Sequence, residues 1–487
     1  MIVDEKLYLN GINAITGEYL VPPMDFDEAA RTVKGEREDT KEVSLLRRIW
    51  RVISQPHLGL PVGENPEVVK EAGWCVVYHK DEDPAVKAAL EPLFNHRREQ
   101  IQNNDRVKIL EYRDGESRGE WLARHGVGAG TIEPTKVPYY LLFVGGPERI
   151  PYTFCHQIDV EYAVGLLHFD TADEYSRYVQ SVIAYETKPD VPNSKEAVFF
   201  GARHPFDRAT QMSADQLVSP LADGTSASAG TGTGTGSSPG VAQRWGFGSR
   251  KLVGDDATKE ALASVFKPAG HSKPPALLFT ATHGMGFPMG HANQLAGQGA
   301  LLCQDWPGFG QISPAHYFAA SDIPADGNFH GMVSFHFACY GAGTPAQDRF
   351  IHKPGMPPPD IAARPFLAAL PKALLAHPNG GALAAIGHVE RAWGYSIVTP
   401  GAGAQLLPFQ NAIGRILLGQ PVGYAMKDFN ERFAALATSL SSMLEQIGFG
   451  TQVSDFELAS AWIERNDAEG YVILGDPAIQ LRVQDIS

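Results

Sequence analysis

The sequence predicts an α/β protein in which parallel strands are covered by helices on both faces. From Trp74 onward, apolar runs alternate with helical patterns, and parallel strands need such a crossover between them. The apolar runs are short and continuous, which is typical of strands buried on both faces. With 487 residues, of which 44% are hydrophobic and 20% charged, the chain is expected to hold two to four structural units.

The rhythm of strand and helix is clearest between residues 74 and 146. Three apolar runs, WCVVYH, RVKILEY and YYLLFVGG, are separated by the helical segments PAVKAALEPLFNHR and GESRGEWLARHG. A longer helix is predicted over residues 171–186, where Thr171 and Glu174 form a capping-box pair ahead of apolar residues at helical spacing. The run AVFFGA then predicts another strand.

Residues 219–240 interrupt this pattern with SPLADGTSASAGTGTGTGSSPG. This segment has almost nothing to bury, so it predicts a flexible surface loop. No Gly-Lys-Ser/Thr sequence closes it, and a phosphate-binding loop is not predicted.

Beyond the loop, two further apolar runs predict buried strands, in PALLFTATHG and GMVSFHFACYGAG. The remaining segments are predicted as a helix over 361–377, a strand and its loop over 381–393, two helices within 405–447, and a strand, a Gly-Asp-Pro turn and a second strand over 471–483.

Composition excludes several classes of function. The 41 basic and 55 acidic side chains give a net charge of −14, which opposes binding to nucleic acid or to anionic lipid. No stretch of eighteen apolar residues and no secretory signal is found, so we expect a cytoplasmic protein without a membrane span. The four scattered cysteines predict reduced thiols.

His283 and Cys339 are the residues that best indicate chemistry. Each follows an apolar run, and they lie fifty-six positions apart, so both are expected at the carboxyl ends of parallel strands, where loops converge. A histidine beside a thiol can accept its proton and create a nucleophile. Alone, each residue is more often structural, a core thiol or a hydrogen-bonded imidazole.

A metal site is not predicted. The sequence offers five further residues of the right type, His291, Cys303, His316, His330 and His336, but no pair has the tight spacing of structural zinc ligands. Strand alternation also places His336 on the opposite side from Cys339. Asp476, in Gly-Asp-Pro, is predicted to form a turn.

With THG and HFACYG each after a hydrophobic block, the chain resembles the caspase-like clan of cysteine peptidases, and within it the gingipain-type family. The segments LLFVGGPERIPY, AVGLLHFDTADEYSRYVQSVIAYE and ILGDPAIQLRV strengthen the narrower resemblance, which runs from about residue 138 to the end. It implies parallel sheets flanked by helices in two side-by-side α/β subdomains. We assign residues 70–165 to the smaller subdomain and 166–487 to the catalytic one, while residues 1–69, with a short amphipathic helix over 41–51, have no assigned role.

The resemblance also implies roles for single residues. His283 would be the base and Cys339 the nucleophile, with the backbone of Gly284 and Cys339 forming the oxyanion hole. Asp159 or Glu161 would bind an Arg or Lys side chain before the cut, and Trp393 would line the substrate pocket. No metal or cofactor is implied. The segment HGMGFPMG lacks the acid that such enzymes often carry soon after the His-Gly pair.

Two other classes of function stay open. A non-proteolytic signalling scaffold could keep the same fold and act through partners. A nucleotide-binding α/β protein is disfavoured, because no glycine-rich fingerprint lies between a strand and a helix with an acid some twenty residues further on. The expected partner is a protein or peptide substrate.

Overall fold

The structure of the protein is a computed structural model. It describes residues 6–8, 10–34, 60–128, 130–225, 238–270, 272–350, 357–394, 397–399 and 403–486. The helix predicted over residues 41–51 lies outside these ranges.

A ten-stranded sheet forms the centre of the molecule. Its strands in chain order are β1 Trp74–His79, β2 Val107–Tyr112, β3 Tyr140–Val144, β4 Ala163–Leu167, β5 Ser194–Gly201, β6 Gly248–Val253, β7 Pro275–Ala281, β8 Val333–Phe337, β9 Ala384–His388 and β10 Tyr471–Gly475. Across the sheet they are arranged as β6-β5-β7-β8-β9-β10-β4-β3-β1-β2.

Two parallel sets of five strands meet in the middle of this sheet. β9 and β10 pair antiparallel, with Ile386 opposite Ile473, while every other neighbouring pair is parallel. The carboxyl ends of β7, β8 and β9 therefore lie at one edge, and those of β4, β3, β1 and β2 at the opposite edge. The two predicted parallel sheets are thus one continuous sheet.

Helices flank the sheet and connect its parallel strands. The main ones are α1 Phe26–Lys34, α2 Pro84–Ile101, α3 Arg118–Arg124, α4 Tyr152–Asp159, α5 Ala172–Thr187, α6 Arg208–Ser213, α7 Lys259–Phe266, α8 Ala369–Leu375, α9 Leu407–Leu417, α10 Lys427–Gly448 and α11 Asp455–Glu469. α2 packs against α5, and α11 packs against both α10 and α1. The predicted α/β fold class is confirmed.

Local sequence explains several of these elements. All residues of β7 and β8 are buried, as their continuous apolar runs predict. Helix α5 begins at the predicted capping box, in which Thr171 accepts a hydrogen bond from the Glu174 backbone. The same arrangement starts α3 at Ser117 and α11 at Ser454.

Some predicted elements differ from the structure. Residues 219–223 are helical, with Leu221 and Ala222 buried, and Gly224–Thr225 pairs with Ser238–Pro239. The rest of the predicted loop, residues 226–237, lies outside the described residues. The helix predicted over 361–377 is shortened to α8, since Pro365 interrupts the pattern ahead of it. The second strand predicted after Asp476 is absent; instead Ile479 accepts a hydrogen bond from Val422.

The described N-terminal residues lie against the rest of the molecule. Lys6–Leu7 pairs with Met24–Asp25, and Ile12–Asn13 pairs in parallel with Met285–Gly286, just after β7. This second pairing brings the N-terminal segment to the carboxyl end of β7. In the described part of the chain, no helix is both long and apolar enough to cross a membrane.

Candidate active site

His283 and Cys339 lie together at one edge of the sheet. Ala281 at the end of β7 pairs with Phe337 at the end of β8, and His283 and Cys339 each follow their strand end by two positions. The backbones of the two loops touch, since a β-carbon at Gly284 would lie 1.8 Å from the Cys339 carbonyl oxygen. Only glycine fits there.

The imidazole of His283 is held by a buried carboxylate. Its Nε2 atom lies 2.8 Å from Oδ2 of Asp207, and its Nδ1 atom accepts a hydrogen bond of 2.7 Å from the Gly11 backbone N–H. An amide N–H can only donate, so Nδ1 is unprotonated and the ring proton lies on Nε2, toward Asp207. Nδ1 is therefore the atom that can act as a base.

Asp207 is placed by the start of helix α6. Its carboxylate caps this helix, accepting from the backbone of Ala209 at 3.3 Å and Thr210 at 3.1 Å. Burial disfavours its charged form, but electrostatic attraction to the His283 N–H and hydrogen bonds from His283, Thr210 and Tyr19 hold the pKa of Asp207 well below its ordinary value. Asp207 is thus an ionised partner for the imidazole.

Cys339 has no exposed surface and is surrounded by backbone groups. Its Sγ accepts a hydrogen bond of 3.2 Å from the Ala392 N–H and donates to the carbonyl oxygen of Asn10. Burial raises the pKa of the Cys339 thiol to about 12, although the Ala392 backbone and the positive charge of Arg391 act in the opposite direction. The thiol is protonated in this state.

Two residues beside Cys339 have a left-handed backbone. Tyr340 has φ 58° and Glu390 has φ 73°, and the Tyr340 N–H donates to the Glu390 carbonyl oxygen at 2.5 Å. Such conformations cost about 1–3 kcal/mol each and concentrate at functional sites. Next to them, Arg391 forms two hydrogen bonds of 2.7 and 2.6 Å with Asp348, which fixes the loop after β9.

Trp393 lies in this same loop but is fully buried. Its ring packs against Phe350, with centroids 5.0 Å apart, and against Trp462 of α11. Leu7 of the N-terminal segment belongs to the same apolar cluster. Trp393 therefore lies in the loop beside the site without exposed surface, and its part in a substrate pocket stays a prediction.

Asp159 and Glu161 precede β4, at the same edge of the sheet as His283 and Cys339. Because β4 is three strands from β8, the two acids are separated from Cys339 by about 14 Å of sheet. Glu161 pairs with Arg118 and accepts from the Gly130 N–H at 2.8 Å. Asp159 accepts from the Val164 N–H at 3.0 Å, and burial raises its pKa to about 8. Their role in substrate binding stays a prediction.

The sequence prediction did not include Asp207, although a signal for it exists. Asp207 follows the carboxyl end of β5, and β5 lies directly beside β7 in the sheet. The same rule that selected His283 and Cys339 therefore also applies to this acid. It stands seventy-six positions before His283, whereas the family resemblance directs attention to the segment after it.

A group with metal-ligand spacing lies elsewhere. His79, Asp81 and Asp114 bring their ligand atoms within 4.8 Å of one another. They lie at the carboxyl ends of β1 and β2, at the edge of the sheet opposite the one with the candidate site. Lys80 forms ion pairs with both carboxylates and already supplies a positive charge there. His336, by contrast, lies 3.0 Å from the Thr280 hydroxyl and is the hydrogen-bonded residue that strand alternation predicts.

Comparison with known proteins gives matches of structure only. No family model and no curated protein matches the chain. A solved structure described as "Structure of Protease" is similar with a TM-score of 0.45 and 10% identity, over 84% of this chain and 78% of that one. The Arg-specific cysteine proteinase gingipain R is similar with a TM-score of 0.45 and 12% identity, over 86% and 80%.

A complex of the RgpB pro- and mature domains of Porphyromonas gingivalis is similar with a TM-score of 0.42 and 11% identity, over 84% of this chain and 80% of that one. The contacts of the site itself carry the inference of function.

Proposed function

We propose that the protein is a cysteine endopeptidase in which Cys339 is the nucleophile, His283 the base and Asp207 the residue that orients the base. The observation that supports this most is the buried hydrogen bond of 2.8 Å between His283 and Asp207. It holds the ring proton on Nε2, so Nδ1, which accepts the Gly11 N–H in this structure, is the nitrogen that would take up the thiol proton. The negative charge of the carboxylate also stabilises the imidazolium that forms when the ring accepts a proton, and a base of this kind is usually oriented by such a third group.

The proposed reaction is general-base catalysis by His283 with Cys339 as the nucleophile. His283 Nδ1 accepts the thiol proton, and the Cys339 sulfur forms a bond to the carbonyl carbon of the substrate. The C–N bond then breaks, and the imidazolium returns the proton to the leaving amine. Water, deprotonated by His283, attacks the acyl enzyme, releases the new carboxylate and regenerates the thiol.

The oxyanion would be held by backbone donors. The Gly284 and Cys339 backbones are in direct contact, so their N–H groups are the proposed donors. The Gly341 N–H is less suitable, because it donates to the Ala338 carbonyl oxygen at 3.1 Å. Removing one such donor in a peptidase costs about 10²–10³ in turnover.

A prolonged digest of a denatured proteome, read by mass spectrometry, tests the proposal, because it detects slow turnover. Cys339→Ala should yield no cleavage, and His283→Ala and Asp207→Asn should lower turnover by roughly 10²- to 10⁴-fold. Asp215→Asn is the matched control, because Asp215 pairs with Arg203 at the surface. Equal cleavage by the wild type and Cys339→Ala would refute the assignment.

Specificity for Arg or Lys before the cut is the finer part of the proposal. A carboxylate facing a guanidinium discriminates strongly among substrates through paired charge-assisted hydrogen bonds. The double variant Asp159→Asn, Glu161→Gln should then lose cleavage after Arg and Lys in the same digest. Undiminished cleavage after these residues, or a preference for other residues in the wild type, would contradict it.

The second function to be weighed is a non-proteolytic signalling scaffold. The complete burial of His283 and Cys339 favours it, since a scaffold needs no open site. Peptides that the wild type cleaves and Cys339→Ala leaves intact would exclude the scaffold. As an enzyme, the protein would act in the cytoplasm on peptides or proteins, without a metal, a cofactor or nucleic acid.

A further inference from the structure

The N-terminal segment Asn10–Leu20 contacts every side chain of the proposed triad. It makes one hydrogen bond to each: Gly11 N–H donates to His283 Nδ1, the Asn10 carbonyl oxygen accepts from Cys339 Sγ, and the Tyr19 hydroxyl donates to Asp207 Oδ1. The Tyr19 ring also lies edge-on to the imidazole, with centroids 5.7 Å apart.

One peptide group lies between the base and the nucleophile. The carbonyl of Asn10 and the N–H of Gly11 belong to the same amide, and they bind Cys339 and His283 respectively. The sulfur and Nδ1 therefore face the two ends of a peptide bond. A substrate bond would occupy this same place.

The chain on both sides of this amide is held in an extended manner. Asn10 N–H donates to the Ala392 carbonyl oxygen at 3.2 Å, and Ile12 N–H donates to that of Gly284 at 3.2 Å. Further along, Ala14 N–H donates to the Gly286 carbonyl oxygen at 2.9 Å. The cleft thus binds the segment by backbone hydrogen bonds, the mode by which extended peptides are recognised.

Gly11 is required for this approach. Its φ is +133°, and a β-carbon there would lie 3.2 Å from Cys339 Sγ and 2.7 Å from Leu20. Leu20 in turn donates its N–H to the Gly11 carbonyl oxygen at 3.0 Å, so the segment folds back on itself over the site. A side chain at position 11 cannot be accommodated without movement.

We propose that Asn10–Leu20 is an internal inhibitor, which occupies the active-site cleft in place of a substrate peptide with Asn10 and Gly11 on either side of the position where a substrate is cut. This inference rests on the proposed peptidase function. Activity on other peptides requires that the segment leaves the cleft.

The orientation of the amide is that of an inhibitor. The Asn10 carbonyl oxygen receives the thiol hydrogen, so this oxygen faces the sulfur. At the same time, the Gly11 N–H occupies the lone pair of His283 Nδ1 that would accept the thiol proton. Proton transfer from Cys339 to His283 is blocked while the segment is bound, and the bond between Asn10 and Gly11 stays intact.

The test is the rate at which iodoacetamide alkylates Cys339, located by peptide mapping. Gly11→Ala should accelerate labelling of Cys339 by roughly 5- to 100-fold, which corresponds to overpacking of about 1–3 kcal/mol. Gly119→Ala is the control, because a β-carbon there meets nothing within 4 Å. Circular dichroism establishes that both variants are folded. Equal labelling of Cys339 in the folded Gly11→Ala variant and the wild type would overturn the proposal.

A synthetic peptide with the sequence of residues 6–20 provides a second measurement. Added to Gly11→Ala, it should slow the labelling of Cys339 again, whereas a scrambled peptide should not. Absence of any effect of the matched peptide would count against occupancy of the cleft. If the intact mass of the purified protein shows cleavage between Asn10 and Gly11, the segment is a substrate and the proposal of an inhibitor is overturned.

Labelling of Cys339, read together with peptide cleavage, distinguishes failure of the inhibitor proposal from failure of the proposed peptidase function. If Gly11→Ala exposes Cys339 but cleaves no peptide, the result supports the binding of Asn10–Leu20 in the cleft, and the peptidase assignment fails. If the wild type cleaves peptides as fast as Gly11→Ala, the peptidase stands and the inhibitor is refuted.

Discussion

Asp159 shows how a single carboxyl group can link stability to pH. In the folded protein, burial raises its pKa to about 8, against an ordinary value near 4 in the unfolded chain. Between these values the unfolded chain releases a proton that the folded protein keeps. The contribution of Asp159 to folding therefore becomes less favourable as the pH rises from about 4 to about 8.

Asp159→Asn should consequently stabilise the protein at pH 8 by about 1–3 kcal/mol, allowing for solvent at this half-buried side chain. Asparagine can still accept the hydrogen bond from the Val164 N–H. Urea unfolding at pH 4.5 and pH 8 should show the gain at pH 8 only. The control is Asp190→Asn at an exposed position. An unchanged free energy of unfolding at pH 8 would contradict the raised pKa of Asp159 in the folded protein without substrate.

At the scale of elements, the region around the Gly/Thr-rich segment offers a simple test. Thr225 and Ser238 are directly paired in a short antiparallel ladder, so the ends of the intervening segment lie side by side. A two-residue Asn-Gly turn is the preferred connection for such a pair. The sequence of residues 226–237 has nothing to bury.

Replacement of residues 226–237 by Asn-Gly should change the free energy of unfolding by about 1 kcal/mol or less, because loop-closure entropy depends weakly on length. Leu221→Ala, in the buried helix just before, should cost about 2–5 kcal/mol and shows that the urea measurement is sensitive. A loss from the replacement comparable to that of Leu221→Ala would show that the segment packs on the protein.

The elements that carry the site differ in how far the sequence predicts them. β7 and β8 are predictable because both are continuous apolar runs. His283 and Cys339 are predictable in turn because each follows the end of one of these strands. β6 is not predicted, because it is an edge strand carrying charges such as Arg250 and Lys251. Asp207 also follows a predicted strand, but it is missed because nothing in the chain order reveals that β5 lies beside β7.

The contact of Asn10–Leu20 with the site is not predicted from the sequence for a related reason. Gly11 and His283 are 272 positions apart in the sequence, and a single backbone hydrogen bond at that separation leaves no periodicity or motif. Composition predicts what a segment can bury, but it does not predict which distant cleft receives it. Only the tertiary arrangement gives residues 10–20 a role.

At the scale of the whole molecule, Asp476 ties distant parts of the chain together. Its buried carboxylate accepts hydrogen bonds from Trp74 at 2.9 Å and from Arg97 at 2.8 Å, and it closes the predicted turn through the Ala478 N–H at 3.0 Å. Arg97 also binds Glu186 at 2.7 Å. β1, α2, α5 and the end of β10 are therefore joined at one buried charge cluster.

Asp476→Ala should lower the free energy of unfolding by about 3–5 kcal/mol, since it leaves the buried Arg97 without one of its two carboxylates. Asp485→Ala removes an exposed partner of Arg482 and should cost less than about 1 kcal/mol. Urea unfolding of the two variants provides the comparison. Similar losses in both would contradict a central role for the Asp476 cluster.

The position of β10 has a consequence for synthesis of the protein. This strand follows the other nine in chain order, yet it lies between β9 and β4 at the centre of the sheet. While a ribosome is still translating the preceding helix, both of those neighbours present unpaired backbone groups, a hazard for association with other nascent chains. The two halves can join only when β10 has emerged from the exit tunnel, so a newly made chain completes the sheet beneath the loops that carry His283 and Cys339 only after its tenth strand has been made.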